Sequence, residues 1–257
     1  MSQAPPTNPI TREKFDAVLF DLDGVLTATA KVHAMSWKRM FDEFLRKRAA
    51  RTGEPFRPFD IAADYTSHVD GKPRYDGVRD FLRSRDIAVQ EGSHDDPPGR
   101  ETVCGLGNRK NELVNAVIAE DGVEVFEGSL SFLHDVRRQG FRTAVVTSSA
   151  NCDIVLEAAG MQGLFDVQVD GNTIIDEHLS GKPAPDSFLR AAELLGVTPE
   201  RSVVVEDAIS GVEAGRNGEF GLVVGVARKG NFDQLARHGA GLVIGDLGEL
   251  LQPAGRQ

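Results

Sequence analysis

AVLFDLDGVLTATAKVHAMSW, residues 17–37, opens on an uninterrupted apolar run and then places two carboxylates, Asp21 and Asp23, one residue apart. A run this short and this continuous suits a strand buried on both faces of a parallel sheet. Closing it with two anions makes sense either as a polar turn or as a place where something holds the acids together. Comparable runs follow at RTAVVTS (142–148), FDVQV (165–169), SVVVED (202–207), GLVVGV (221–226) and GLVIGDL (241–247). Between them lie helical periodicities at 129–140, 151–160, 186–196 and 209–218, with Gly where a helix would stop. Strand and helix in repetition specify an α/β fold built on a doubly wound parallel sheet.

From about His33 to about Ala119 that rhythm stops. Helical segments at 32–50, 76–86 and 109–120 are joined by polar loops, among them EGSHDDPPGRE (91–101), which reads as a surface loop. The expected organisation is an α/β core over 1–31 and 120–257, interrupted by an all-helical domain over 32–119.

The 257 residues, 40% hydrophobic and 26% charged, describe an ordinary globular chain with enough material for a large core. A net charge of -10 argues against a nucleic-acid partner but leaves room for a small phosphorylated ligand gripped by local cations. No apolar run approaches the ~18 residues of a membrane span. Cys104 and Cys152 are far apart and read as small hydrophobes. The start, MSQAPPTNPITREK, has no apolar signal region and reads as a disordered lead-in. A reduced, cytoplasmic protein, monomeric or weakly dimeric, is expected.

Ligands of open α/β sheets sit outside the carboxyl ends of the strands, where strand order reverses. Several strand candidates end there in useful chemistry: Asp21 and Asp23, then Thr147-Ser148-Ser149, then Glu206-Asp207, with Gly181-Lys182-Pro183 following the third strand. Four carboxylates at one edge would repel one another unless a hard divalent cation such as Mg²⁺ joined them. Other readings of the motifs are weaker. An EF-hand loop starting at Asp21 would need an acid or amide at Val25 and Glu at Val32. The GK of SGKPAP is followed by Pro, so it is no Walker A loop, and GLGNRK (105–110) follows no strand.

DLDGVLT (21–27), TSS (147–149), GKPAPD (181–186) and VEDAISGVEAG (205–215), in this order, resemble the haloacid-dehalogenase superfamily of phosphotransferases, and within it the β-phosphoglucomutase branch. That resemblance implies a nucleophile at Asp21, which would carry an aspartyl-phosphate, and a general acid-base at Asp23. Thr147 and Lys182 would contact the phosphoryl group. One Mg²⁺ would be held by Asp21, the Asp23 carbonyl and Asp207, with Glu206 bound directly or through water. The helical insert corresponds to the superfamily's cap. Thr29, His33, Trp37, Arg74 and Lys110 from the cap and hinge, with Ser148, Ser149 and Asn151 from the core, fit the substrate-binding pattern. Two positions depart from it: Ala28 replaces a common Asp, and Ala150 replaces a lysine associated with the distal phosphate. Segments 46–66 and 83–107 are also longer than a minimal cap needs. The implied reaction interconverts β-glucose 1-phosphate and glucose 6-phosphate, with a bisphosphorylated sugar as activator. A phosphatase for a small phosphorylated metabolite is the alternative, and a non-catalytic sugar-phosphate sensor is a third reading.

Overall fold

A computed structural model describes residues 8–251. Six parallel strands form one sheet: β1 (Ala17–Phe20), β2 (Arg142–Val146), β3 (Val167–Val169), β4 (Ser202–Glu206), β5 (Leu222–Val226) and β6 (Leu242–Ile244), in the order β3-β2-β1-β4-β5-β6. The chain winds outward from β1 to β3, then crosses to the other side of β1 for β4. The topological switch point therefore lies between β1 and β4, which pair in register from Ala17 with Ser202 to Phe20 with Val205.

Alternation along each strand builds two cores. Val18 and Phe20 of β1 join Val145, Val203, Val205, Phe132 and Leu133 on one face, while Ala17 and Leu19 join Ala144, Val146, Val204, Phe188 and Leu195 on the other. Every residue of β1 and β4 is buried, which explains their unbroken apolar character. Helices α4 (Glu127–Arg138), α5 (Cys152–Ala158), α7 (Asp186–Leu195) and α8 (Ile209–Asn217) answer the expected periodicities within two residues at each end. Two short helices were not expected: α6 (Gly171–Asp176), capped by the Asp170 carboxylate, and α9 (Phe232–His238). Each is too short to form alone and is held by packing of Ile174 or Leu235.

Residues between β1 and α4 are helical, as expected: α1 (Ala30–Thr52), α2 (Arg74–Ser84) and α3 (Val103–Asp121). They surround a third core of Trp37, Phe41, Phe44, Phe59 and Phe81. The segment Ile61–Val69 holds an additional π-helical turn, in which Tyr65 N–H donates to Asp60 O at 3.2 Å and Asp70 N–H to Tyr65 O at 3.0 Å. The two crossings into this region lie side by side, Ala28 N–H donating to Glu124 O at 2.9 Å and Phe126 N–H to Leu26 O at 3.0 Å. The DDPPG stretch is a surface turn, although Asp96 within it is buried and accepts from Thr102 Oγ1 at 2.6 Å.

The disordered lead-in is corrected in part. Ile10 is buried in the first core and the Asn8 side-chain amide donates to Leu250 O at 2.9 Å, so apolar burial fixes the chain from Asn8 onward. Residues 1–7 of that stretch lie outside the described residues.

Phe41 is fully buried between Trp37, Phe59 and Phe81, with ring centroids 5.4, 5.2 and 4.1 Å away. Phe41→Ala is expected to destabilise the helical region by about 3–5 kcal/mol, seen as a lowered urea midpoint by circular dichroism.

Candidate active site

Strand β1 stops at Phe20, yet Asp21 N–H still donates to Val205 O of β4 at 2.9 Å. The Asp21 side chain therefore emerges at the switch point itself. The chain then turns tightly, Gly24 N–H donating to Thr27 O at 2.7 Å and Thr27 N–H to Leu22 O at 3.0 Å. Gly24 has φ +90°, and a Cβ there would lie 2.2 Å from Asp207 Oδ2. Only glycine lets this turn press against the loop after β4.

Lys182 lies beneath the acids, its side chain fully buried. Its Nζ donates to Asp21 Oδ1 and to Glu206 Oε1, both at 2.6 Å, and to Val146 O at 3.3 Å. Burial disfavours the ammonium, but Asp21 and Glu206 outweigh it and hold Lys182 charged well above the ordinary lysine range. Glu206 spends its second oxygen on the backbone N–H groups of Asp207 and Ala208, each at 3.0 Å.

Asp21, Glu206 and Asp207 each offer a carboxylate oxygen within 4.8 Å of the others. Burial, reinforced by Glu206, pushes the Asp21 carboxyl well up. Burial and then Asp70 do the same to Asp207, against the opposing Lys229. A divalent cation would relieve the repulsion among these carboxylates, which Lys182 and the more distant Lys229 offset only in part, and all-oxygen donors suit a hard ion. The residues present therefore fit Mg²⁺. Of these three, Asp21 and Asp207 line the cavity, while Glu206 stands behind them.

Asp23 behaves in the opposite way. Its burial would raise the carboxyl pKa, but His33, Thr29 and Lys110 prevail and hold it ionised, well below the usual carboxylate range. Thr29 Oγ1 donates to Asp23 Oδ1, Thr147 Oγ1 donates to Oδ2 at 3.3 Å, and His33 Nε2 stands 3.4 Å from Oδ1 without hydrogen-bond geometry. Behind it, Lys110 Nζ contacts His33 Nδ1 at 2.8 Å and lies 5.1 Å over the Trp37 ring.

Asp21, Asp23, His33, Trp37, Arg74, Lys110, Thr147, Ser148, Ser149 and Asp207 all line one cavity of about 50 Å³ between the sheet edge and the helices. That is room for a few waters, not for a hexose phosphate. Thr29, Lys182, Glu206 and Asn151 stand behind its wall. Asn151 reaches the helices instead, its amide donating to Asn111 Oδ1 at 2.9 Å, while Ala150 takes the wall position. Ser148 Oγ donates across to Gly71 O at 2.8 Å, and Ser149 Oγ accepts from Asn151 N–H at 3.2 Å.

Sequence reasoning missed Tyr65, Asp70, Lys72 and Asn111 in the cavity wall. Lys72 and Asn111 adjoin residues singled out by motif. Tyr65 and Asp70 follow from the π-helical turn, whose only local signal is the N-cap Asp60, accepting from Ala63 N–H at 2.7 Å.

A parallel sheet with buried acids at its switch point and a helical insert above them defines a phosphoryl-transfer scaffold. The chain belongs to the haloacid dehalogenase-like hydrolase family, whose sequence profile matches residues 15–218. It is 57% identical over 242 residues to the β-phosphoglucomutases of Mycobacterium bovis and Mycobacterium tuberculosis, spanning 93% of this chain and 92% of theirs. Among solved structures, β-phosphoglucomutase from Clostridium difficile matches with a TM-score of 0.72 at 25% identity, covering 92% of this chain and 93% of that one. The protein is thus an enzyme, a phosphomutase or a phosphatase, which sets the sensor reading aside. Among the described residues no helix is long and apolar enough to cross a membrane.

Burial brings Lys110 down to about 7, with Asp23 opposing and Arg74 assisting, whereas an unfolded lysine stays charged to 10.5. Between those values the unfolded chain binds more protons, so this residue's contribution to stability rises with pH across the window. Lys110→Met is expected to raise Tm over the wild type near pH 6.5, with the gain shrinking by pH 9.5, in paired thermal melts.

Proposed function

We propose that the enzyme is a Mg²⁺-dependent mutase that interconverts β-glucose 1-phosphate and glucose 6-phosphate through an aspartyl-phosphate. Residues 32–119 act as the cap and residues 1–31 with 120–257 as the core, hinging where Ala28 pairs with Glu124. The relatives named β-phosphoglucomutase support the substrate class.

In this reading an Asp21 oxygen attacks the phosphorus of a sugar phosphate. The bond from phosphorus to the sugar oxygen breaks, and protonated Asp23 supplies the proton that oxygen needs. In the second half, the free hydroxyl of glucose 1-phosphate gives its proton to ionised Asp23 and attacks the phosphorus on Asp21. The Asp21–phosphorus bond breaks and the bisphosphate forms, which turns over and returns its other phosphoryl group to Asp21. A bisphosphorylated sugar therefore primes the cycle.

Lys182 keeps Asp21 from repelling the incoming phosphate, and the Thr147 hydroxyl donates to it. Asp21, the Asp23 carbonyl and Asp207 would hold the metal, which when bound neutralises charge on the transferring group. Arg74 and Lys110 supply the cations for the phosphate that does not react.

The observation that carries this reading is the cavity of about 50 Å³ that Asp21 and Asp23 share with Arg74 and Lys110. A phosphorylated Asp21 there meets few waters, so it survives until a sugar arrives. A hexose phosphate enters only when the cap opens.

Phosphorus NMR of the enzyme with Mg²⁺, β-glucose 1-phosphate and a trace of bisphosphate tests the proposal. Glucose 6-phosphate should accumulate without stoichiometric inorganic phosphate; phosphate release matching substrate loss would make the enzyme a phosphatase. Asp21→Asn should remove turnover while leaving the circular-dichroism spectrum unchanged. Arg74→Ala should raise KM for β-glucose 1-phosphate by about 10–100-fold, the worth of a charge-assisted hydrogen-bond pair, and change kcat/KM for p-nitrophenyl phosphate by no more than about twofold.

A further inference from the structure

Arg74 reaches the cavity wall from the first turn of α2, and its guanidinium does not hang free. Its Cζ lies 4.8 Å over the ring of Tyr75, and its Nη2 donates to the Tyr75 hydroxyl at 2.9 Å. Arg74 Nε is buried in the wall with no hydrogen-bond partner. The guanidinium is thus oriented by its neighbour, stacked and hydrogen-bonded at one end and unpaired at Nε.

Tyr75 is itself held on every side, yet it does not line the cavity. Its hydroxyl donates to Asn108 Oδ1 at 2.9 Å, and the Asn108 amide donates to His94 O and Asp96 O, each at 2.9 Å. The His94 ring stacks on the Tyr75 ring at 4.8 Å and 10°. Gly107 of α3 also packs close to it, where a Cβ would lie 2.7 Å from Tyr75 Cδ1. The supporting loop is braced in turn by buried Asp96, which accepts from Thr102 Oγ1 at 2.6 Å, Arg100 Nη1 at 2.8 Å and Ser93 N–H at 3.2 Å. The long segment 83–107, which the motifs leave unexplained, thus ends as a buttress under one arginine.

We infer that Tyr75, backed by Asn108 and the loop 93–102, is a positioning residue that aims Arg74 at the non-reacting phosphate of the sugar substrate. The inference rests on the distal-phosphate reading of Arg74. A preset guanidinium loses less freedom when the phosphate docks, so the brace acts on binding of a substrate that carries a remote phosphate. It leaves a small aryl phosphate, whose only phosphate is the reacting one, untouched.

Steady-state kinetics with β-glucose 1-phosphate and with p-nitrophenyl phosphate separate this from a packing role. Tyr75→Phe keeps the ring and removes the hydroxyl; Asn108→Ala removes the hydroxyl's acceptor. Each should raise KM for the sugar phosphate about fivefold, with kcat and the aryl phosphate reaction within about twofold of wild type. On an Arg74→Ala background neither should add a further loss. Equal losses on both substrates, or losses that add to Arg74→Ala, overturn the inference. So does an unchanged sugar-phosphate KM in both variants when Arg74→Ala raises it, and that result leaves the distal-phosphate reading standing. An unchanged KM in Arg74→Ala itself removes that reading and the brace with it.

Discussion

The ammonium of Lys182, buried and shared between Asp21 and Glu206, is the interaction on which the site depends. It ties the ends of β1 and β4 across the switch point and also accounts for Glu206's burial. Glu206 in turn fixes the backbone of Asp207 and Ala208 with its other oxygen, so the placement of Asp207 descends from the same ammonium. Removing the lysine would leave two carboxylates desolvated and facing each other, the costly half of a broken buried pair. The arrangement is not a stabilising device in itself. It gathers carboxylates at one point, where a cation is needed to offset their repulsion.

Two acids one residue apart end up with opposite proton affinities, and the cause is visible in their surroundings. Asp21 shares its pocket with other carboxylates, so burial and repulsion from Glu206 raise its proton affinity against the opposing pull of Lys182. Asp23 turns the other way, toward Thr29 and His33, with the Lys110 ammonium behind His33. Environments that push neighbouring titratable groups apart mark distinct roles. In the proposed cycle the ionised Asp23 is the form that takes a proton from the attacking sugar hydroxyl. Thr29, His33 and Lys110 all come from the helical insert and its approach, so the insert sets the protonation preference of Asp23.

The core was legible because a parallel sheet leaves a plain signature. Strands buried on both faces must be apolar throughout, and their carboxyl ends must share an edge, so AVLF followed by Asp21 and SVVV followed by Glu206-Asp207 could be placed together before any coordinates. Lys182 was legible through the GKPAPD motif (181–186) that carries the family resemblance, while the acids themselves pointed to a divalent cation. The helical side gave less away. Tyr65 and Asp70 arrive through a π-helical turn, whose five-residue hydrogen bonds have no periodic apolar trace. Asn151 belongs to the expected phosphate loop yet stands behind the wall, its amide donating to Asn111. Such details depend on how helices dock, which residue spacing does not encode.

The relation between the two halves of the molecule follows from these differences. The core supplies charges that local sequence fixes rigidly, at the ends of fully buried strands. The helices supply donors, Arg74, Lys110 and His33, whose positions depend on tertiary support such as Tyr75 and Asn108. A scaffold divided in this way can keep one phosphoryl chemistry while its substrate changes, because an altered helical insert re-aims the donors and leaves the strand ends alone. Ala150 illustrates the point: it brings no cation to the wall, and Lys72, Arg74 and Lys110, which do line the cavity, all come from the helical insert.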